Sequence, residues 1–287
     1  MKAIILNLAA WSVLPIMDGM AKHLSTEIPV LQVVWGRYFF MVLISLPITY
    51  FFFKNHLKWP SNFTIQFFRS LFLFLSTLFF FYSISVLPLA DSLTLMFIAP
   101  IIVTLLSAVI LKEKVGIRRW IAVLIGFFGA LIVIRPGFNE INLATLAAIG
   151  AGFSYALYIV STRKLSSIDH PLLTLIFTGL SGCFIISVIV YWVWIPLNYY
   201  QWILLISLAA VGTLGHLLLI LSLNYAEASK LAPLGYFEIV SNMIIGYIFF
   251  NDFPDKWIWI GLFFIISSGI YISFRENKKS QTITMKN

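Results

Sequence analysis

Five ionisable side chains interrupt apolar runs in this chain: Asp18, Arg37, Arg69, His216 and Glu238. Groups of this kind are costly in hydrocarbon. They persist where they pair, exchange a proton, or face a ligand or water path. Glu238 raises the question most sharply, because it stands inside LAPLGYFEIVSNMIIGYIFF. It lies about nine residues into its run, roughly 14 Å deep at 1.5 Å per residue, near the middle of a core roughly 30 Å thick. A carboxylate at that depth requires a cationic partner, a proton or water. It can therefore act as counter-charge to a cationic ligand or as a proton site. The structural alternative is a neutral acid bonded to a neighbouring helix, or a fixed pair with an arginine.

Asp18 and Arg37 fall near the same end of two consecutive runs, so antiparallel neighbours would bring them together as a salt bridge or as a gate at the outer face. Asp18 can also reach Lys22 along one helix, four residues on. Arg69 lies about two turns from the end of its run and can snorkel to the interface. His216, in GTLGHLLL, suits either a buried imidazole bonded to a carbonyl or a group handling protons or ligand. Tyrosine and tryptophan inside apolar runs carry a polar tip that wants a partner. Trp11, Trp35, Tyr82, Tyr155, Tyr158 and Tyr236 are thus candidate cavity walls. Aromatic faces around a carboxylate suit a cation or a flat heterocycle. Pro100 and Pro233, inside or near the start of the fourth and ninth runs, each remove a backbone donor and are candidate hinges.

The elements that position these residues follow from composition. Of 287 residues, 61% are hydrophobic and 10% charged, against roughly 45–50% and about 25% in a soluble domain. A soluble fold cannot hide this much apolar surface, so the surroundings are largely lipid. Ten apolar segments run near 3–21, 30–52, 63–85, 90–111, 118–134, 142–162, 172–194, 201–222, 229–249 and 256–274. Each is about the length of a membrane-crossing helix. The expected fold is all-α, with ten transmembrane helices. The basic start and first apolar run carry no small-residue cleavage site, so the first helix reads as retained. The net charge of +8 is distributed between spans rather than gathered into a nucleic-acid patch. Fourteen Lys and Arg fall on the side shared with the termini and three (Lys22, Arg135, Lys256) on the other. Such a bias places both termini in the cytoplasm.

Two halves are visible. NLAAWSVLPIMDGMAKHL aligns with AIGAGFSYALYIVSTRKL, and ADSLTLMFIAPIIVTLLSAVILKEKVGIRRW with ASKLAPLGYFEIVSNMIIGYIFFNDFPDKWI. The second alignment sets Glu113 against Asn251, beside Asp252. Expected units are 1–137 and 138–275, followed by a polar cytoplasmic tail at 276–287. Five spans per half is odd, so the second half enters the membrane inverted, an arrangement whose ligand site lies near the midplane between the halves.

No metalloprotease, nucleophile-elbow, Walker or dinucleotide motif is present, and the lone Cys183 excludes an internal disulfide. No enzyme, metal or cofactor is implied, and no nucleic-acid partner. Without an ATP-binding motif, uphill movement of a solute would need an ion gradient or exchange.

These features together resemble the EamA family of the drug/metabolite transporter superfamily over essentially the whole chain. The resemblance rests on the paired repeats, on FIAPIIVTLLSAVILKEK with Pro100 and Glu113, and on RRWIAVLIGFFGALIVIRP. The second copy, LAPLGYFEIVSNMIIGYIFFNDFPDKWIWIG, is similar to the form in permeases for S-adenosylmethionine uptake and in riboflavin-type carriers. So are the Asp18-to-Lys22 pair and the Arg37 stretch VVWGRYFF. The resemblance implies inverted five-helix halves, a cavity within one chain for which a monomer suffices, and alternating access. The implied activity is secondary-active movement of a small organic metabolite across the cytoplasmic membrane. The leading expectation is uptake or exchange of a cationic or zwitterionic solute such as S-adenosylmethionine. Alternatives are a proton-coupled exporter of amino acids or toxic metabolites, a riboflavin-type carrier and, from another class, an intramembrane lipid-handling protein. Glu238 and Tyr236 would face the cavity with Trp11, Tyr82, Tyr155, Tyr158 and His216. Glu113 would instead cap or bridge to Lys112, Lys114 or Arg118 at the cytoplasmic face.

Overall fold

A computed structural model describes residues 1–56, 58–87, 89–134, 142–241, 244, 256–257, 259–268 and 270–271. Among the described residues the protein is helical, without strands. The long helices are α1 (Lys2–Leu24), α2 (Val30–Phe52), α3 (Phe63–Val86), α6 (Ile117–Ile134), α7 (Leu143–Leu165), α8 (Pro171–Val190) and α9 (Tyr199–Tyr225). Shorter ones are α4 (Leu89–Met96), α5 (Ala99–Val109), α10 (Ala228–Leu231) and α11 (Trp259–Ser268). A 3-10 segment, Ala232–Tyr236, continues α10 into further helical turns at 237–241.

Seven of the expected spans are present as helices long and apolar enough to cross a membrane, with Asp91–Val109 (α4 running into α5) as the fourth. At the fifth, ninth and tenth positions the described residues give α6, α10 with its continuation, and α11, which are not among these seven. Arg135, Asn251, Asp252 and the 276–287 tail lie outside the described residues.

Helix starts are fixed by local chemistry. Asn62, Asn142 and Asn198 each accept a hydrogen bond from a backbone N–H one turn on, at Ile65, Thr145 and Gln201. Asn198 and Gln201 complete a reciprocal capping box, which satisfies orphan donors that lipid cannot. The main helix pairs are α1 with α9, α3 with α7, and α2 with α8. Two glycines permit close approach. A Cβ at Gly152 of α7 would strike the Met96 carbonyl, and one at Gly215 of α9 would strike Leu14 of α1. Small residues of this kind let helices pack in a solvent that supplies no hydrophobic drive between them. Apolar side chains such as Phe51, Phe184 and Trp192 point outward, as lipid contact requires.

The fourth span is broken. Residues 97–98 separate α4 from α5, and Pro100 occupies the first turn of α5. Pro233 lies in the 3-10 segment that interrupts the start of the ninth. Both prolines thus stand where helical geometry changes, because neither can donate to the preceding turn.

Candidate functional site

Two adjoining chambers lie between α1, α3, α5, α7, α9 and the 3-10 segment. The first holds about 520 Å³ of empty space, its open mouth included, and is mainly apolar. Its walls include Asn7, Trp11, Pro100, Tyr155, Ile159, Leu223 and Gly235. The second holds about 420 Å³, counted in the same way, and carries the polar groups Asp18, Arg37, Ser76, Thr77 and His216. Trp11, Met96, Tyr155 and Glu238 line both, so Glu238 stands where the chambers meet.

Glu238 reaches this point because the 3-10 segment delivers the chain into the cavity and the carboxylate follows two residues after its end. It is 6% exposed, and Asp18 is 5% exposed. The two carboxyl groups line the second chamber together and act on each other electrostatically, as the Arg37 guanidinium acts on Asp18. Two carboxylates in contact repel unless a proton or a cation lies between them. Asp18 and Arg37, expected from sequence to meet, share this chamber. Among the described residues Asp18 and Arg37 form no ion pair within 4 Å. Arg37 instead donates to the Thr77 hydroxyl and, at 2.6 Å, to His216 Nε2. Lys22 also turns away from Asp18. It donates to the Ile84 and Leu87 carbonyls, closing the end of α3.

A guanidinium only donates, so His216 Nε2 accepts from Arg37, and its Nδ1 faces the Tyr158 hydroxyl at 3.4 Å. Thr77 is held in turn by the Leu73 carbonyl and contacts the Tyr38 hydroxyl at 3.0 Å. Arg37 is therefore fixed by neutral groups on two other helices, α3 and α9.

Arg69 does not snorkel. It is fully buried, its Nε donating to Thr162 at 2.8 Å and its NH1 group to the Thr174 carbonyl and the Thr178 hydroxyl. It also lies 4.8 Å over the Tyr158 ring. Hydroxyls and a carbonyl from α7 and α8 take the place of interfacial water, which removes the reason to reach outward.

The aromatic candidates divide. Trp11 and Tyr155 line both chambers, their rings edge-on at 6.1 Å, and the Trp11 indole donates to Asn7 Oδ1 at 3.0 Å. Tyr158 sits behind the wall, between Arg69 and His216. Tyr236 is wholly buried elsewhere. Its ring abuts Gly126 of α6, and its hydroxyl donates to the Phe97 carbonyl at 3.4 Å. Tyr82 faces a separate groove with Val30, Leu78 and Leu146. The cavity face of α3 is set by Leu73, Ser76, Thr77, Phe80 and Phe81, at helical spacing, and position 82 turns off that face. Trp35 joins Phe39, Trp194 and Trp202 in an aromatic cluster outside both chambers.

Sequence reasoning missed Asn7 and Thr77. Asn7 is 2% exposed and bonds Ser222 of α9 as well as Trp11. Its signal was available: a lone amide in an apolar run, four residues before a tryptophan. Thr77 carried no signal in a phenylalanine-rich helix.

Beyond the first chamber, the ends of five elements are clasped together. Glu113 accepts from the Ala228 and Ser229 N–H groups at 3.0 and 3.1 Å and from the Ser229 hydroxyl. Arg119 pairs with Glu227 at 2.8 Å, and Arg163 donates to the Leu223 carbonyl at 2.6 Å. Glu113 thus caps α10 rather than bridging to Lys112, Lys114 or Arg118.

Comparison with known proteins agrees with this architecture. A solved crystal structure superposes with a TM-score of 0.78 over 96% of both chains at 15% identity, a likeness of fold. The S-adenosylmethionine uptake transporter of Rickettsia prowazekii (strain Madrid E) is 27% identical over 91% of this chain and 88% of its own. The riboflavin transporter of Vibrio cholerae serotype O1 is 31% identical over 68% and 65%. A pseudopaline exporter of Pseudomonas aeruginosa is 27% identical over 68% and 69%. These relatives are transporters rather than enzymes. The profile of the EamA-like transporter family matches residues 1–135 and again 142–274, and the chain belongs to that family.

Proposed function

We propose that this membrane protein moves a cationic or zwitterionic organic metabolite of the S-adenosylmethionine class by secondary-active alternating access. The observation that carries this reading is the buried Asp18–Glu238 carboxyl pair at the junction of an apolar aromatic chamber and a polar one. A positive group on the solute, or a proton when the solute is absent, relieves the repulsion between the carboxylates. Trp11 and Tyr155 offer faces for a heterocycle. The likeness to the Rickettsia uptake transporter supports uptake as the direction.

The alternating-access reading takes the chain as ten spans in two inverted halves, joined near 137–138, in the cytoplasmic membrane with both termini cytoplasmic. Its support is the twofold family match and the helix pairing. Exchanging the halves converts the α1–α9 pair into α3–α7 and maps α2–α8 onto itself. Pro100 and Pro233, at the two broken spans, serve as hinges.

The test is uptake of labelled S-adenosylmethionine into proteoliposomes with unlabelled competitors. Competition by S-adenosylmethionine analogues, with none from neutral sugars, is expected. Riboflavin as the sole effective competitor would favour the second reading, to which the Vibrio likeness and the apolar chamber lend support.

A further inference from the structure

Arg37 is a charged residue on the wall of the polar chamber, 4% exposed. Its hydrogen-bond partners, Thr77 and His216, are both neutral acceptors. Among the described residues no carboxylate lies within ion-pair distance of it. The two acids that share its chamber, Asp18 and Glu238, act on each other, and the charge of Arg37 also reaches Asp18. The cavity therefore presents a fixed positive group and two acids on its walls. A buried guanidinium at low dielectric gains most from a carboxylate, to which it can donate two parallel hydrogen bonds. Each NH1 and NH2 nitrogen keeps a second hydrogen after serving Thr77 and His216.

We propose that Arg37 is the recognition residue for a carboxylate on the transported solute, so that the polar chamber receives the head group of an α-amino acid. The carboxylate docks on Arg37, and the cationic centre lies toward Asp18 and Glu238. The remainder of the solute extends past Glu238 into the chamber walled by Trp11, Tyr155 and Pro100. Thr77, tied to the Leu73 carbonyl and touching Tyr38, is a positioning residue that aims the guanidinium. The inference rests on the transporter reading of the same cavity and adds to it a requirement for a carboxylate.

The experiment compares equilibrium binding of S-adenosylmethionine with that of its decarboxylated analogue, which keeps the sulfonium, the amine and the ring. Wild-type protein is expected to bind the carboxylate-bearing compound about tenfold to a hundredfold more tightly, the range for a charge-assisted hydrogen-bonded pair. In Arg37→Gln the preference falls to within about twofold, and in Thr77→Val it falls part of the way. Should Arg37→Gln not fold, judged by its ligand-free melting, the two-ligand comparison on wild type and the Thr77→Val result decide. Equal binding of both compounds to wild type, or an undiminished preference in Arg37→Gln, overturns the role of Arg37 while leaving the cationic-solute reading standing. Wild type that binds neither compound but binds a neutral heterocycle overturns both.

Discussion

Removing the Glu113 carboxylate uncaps α10 in a place where little water can substitute. Glu113 accepts from two backbone N–H groups, of Ala228 and Ser229, and from the Ser229 hydroxyl. Its side chain is 7% exposed. An ordinary N-cap is worth about 1 kcal/mol, and a hydrogen bond to a charged group about 1.5–3 kcal/mol. Partial rehydration of the freed donors lowers that sum. Glu113→Ala should therefore cost about 2–3 kcal/mol. At roughly 2 °C per kcal/mol for a chain of this length, the melting temperature falls by about 4–6 °C. Glu113→Gln keeps one accepting oxygen but no charge, and should lose about half as much. The assay is intrinsic-fluorescence melting of the purified protein in detergent. Lys114→Ala is the control, because that exposed side chain lies outside the clasp and should shift melting by less than about 1 °C. A Glu113→Ala protein that melts with wild type, or a Lys114→Ala protein that falls as far, would refute the capping argument.

Three further outcomes are expected. Gly182→Ala drives a Cβ into the buried Tyr38 ring. Overpacking of this kind costs about 1–3 kcal/mol, visible as earlier melting, and the displaced Tyr38 should disturb Thr77 and weaken ligand binding. Tyr82→Phe, in a groove apart from both chambers, should leave the uptake rate and apparent affinity at wild-type values in proteoliposomes. Lys112 holds a positive φ of 53°, so Lys112→Gly removes a left-handed strain of about 1 kcal/mol and should raise the melting temperature by about 1–2 °C.

The elements of the site differ in how far they could be read from the chain. Glu238 and Asp18 announce themselves because a carboxylate in an apolar run has few physical excuses. The prolines announce helix breaks for the same local reason. The contact between Asp18 and Glu238 is of another kind, since it joins distant spans through the packing of α1 against the 3-10 segment. An Asp18–Arg37 ion pair was the simpler guess; the two do share a chamber, but Thr77 and His216 take the hydrogen bonds of Arg37. Arg69 was misjudged because its partners, Thr162, Thr174 and Thr178, come from two other helices. The aromatic residues were hardest to place. Spans that are apolar on nearly every face carry no amphipathic stripe to say which side turns inward. Tyr82 and Tyr155 look alike in sequence, and only helix rotation separates them.

The account turns on Glu238 as the counter-charge in the cavity, and ligand-induced thermal stabilisation tests that most directly. A ligand that binds only the folded protein adds about 2.7 kcal/mol of apparent stability at a hundred times its dissociation constant. S-adenosylmethionine is expected to raise the melting temperature of wild type and to leave that of Glu238→Gln, folded and melting normally without ligand, unchanged. An equal rise in both proteins would contradict it.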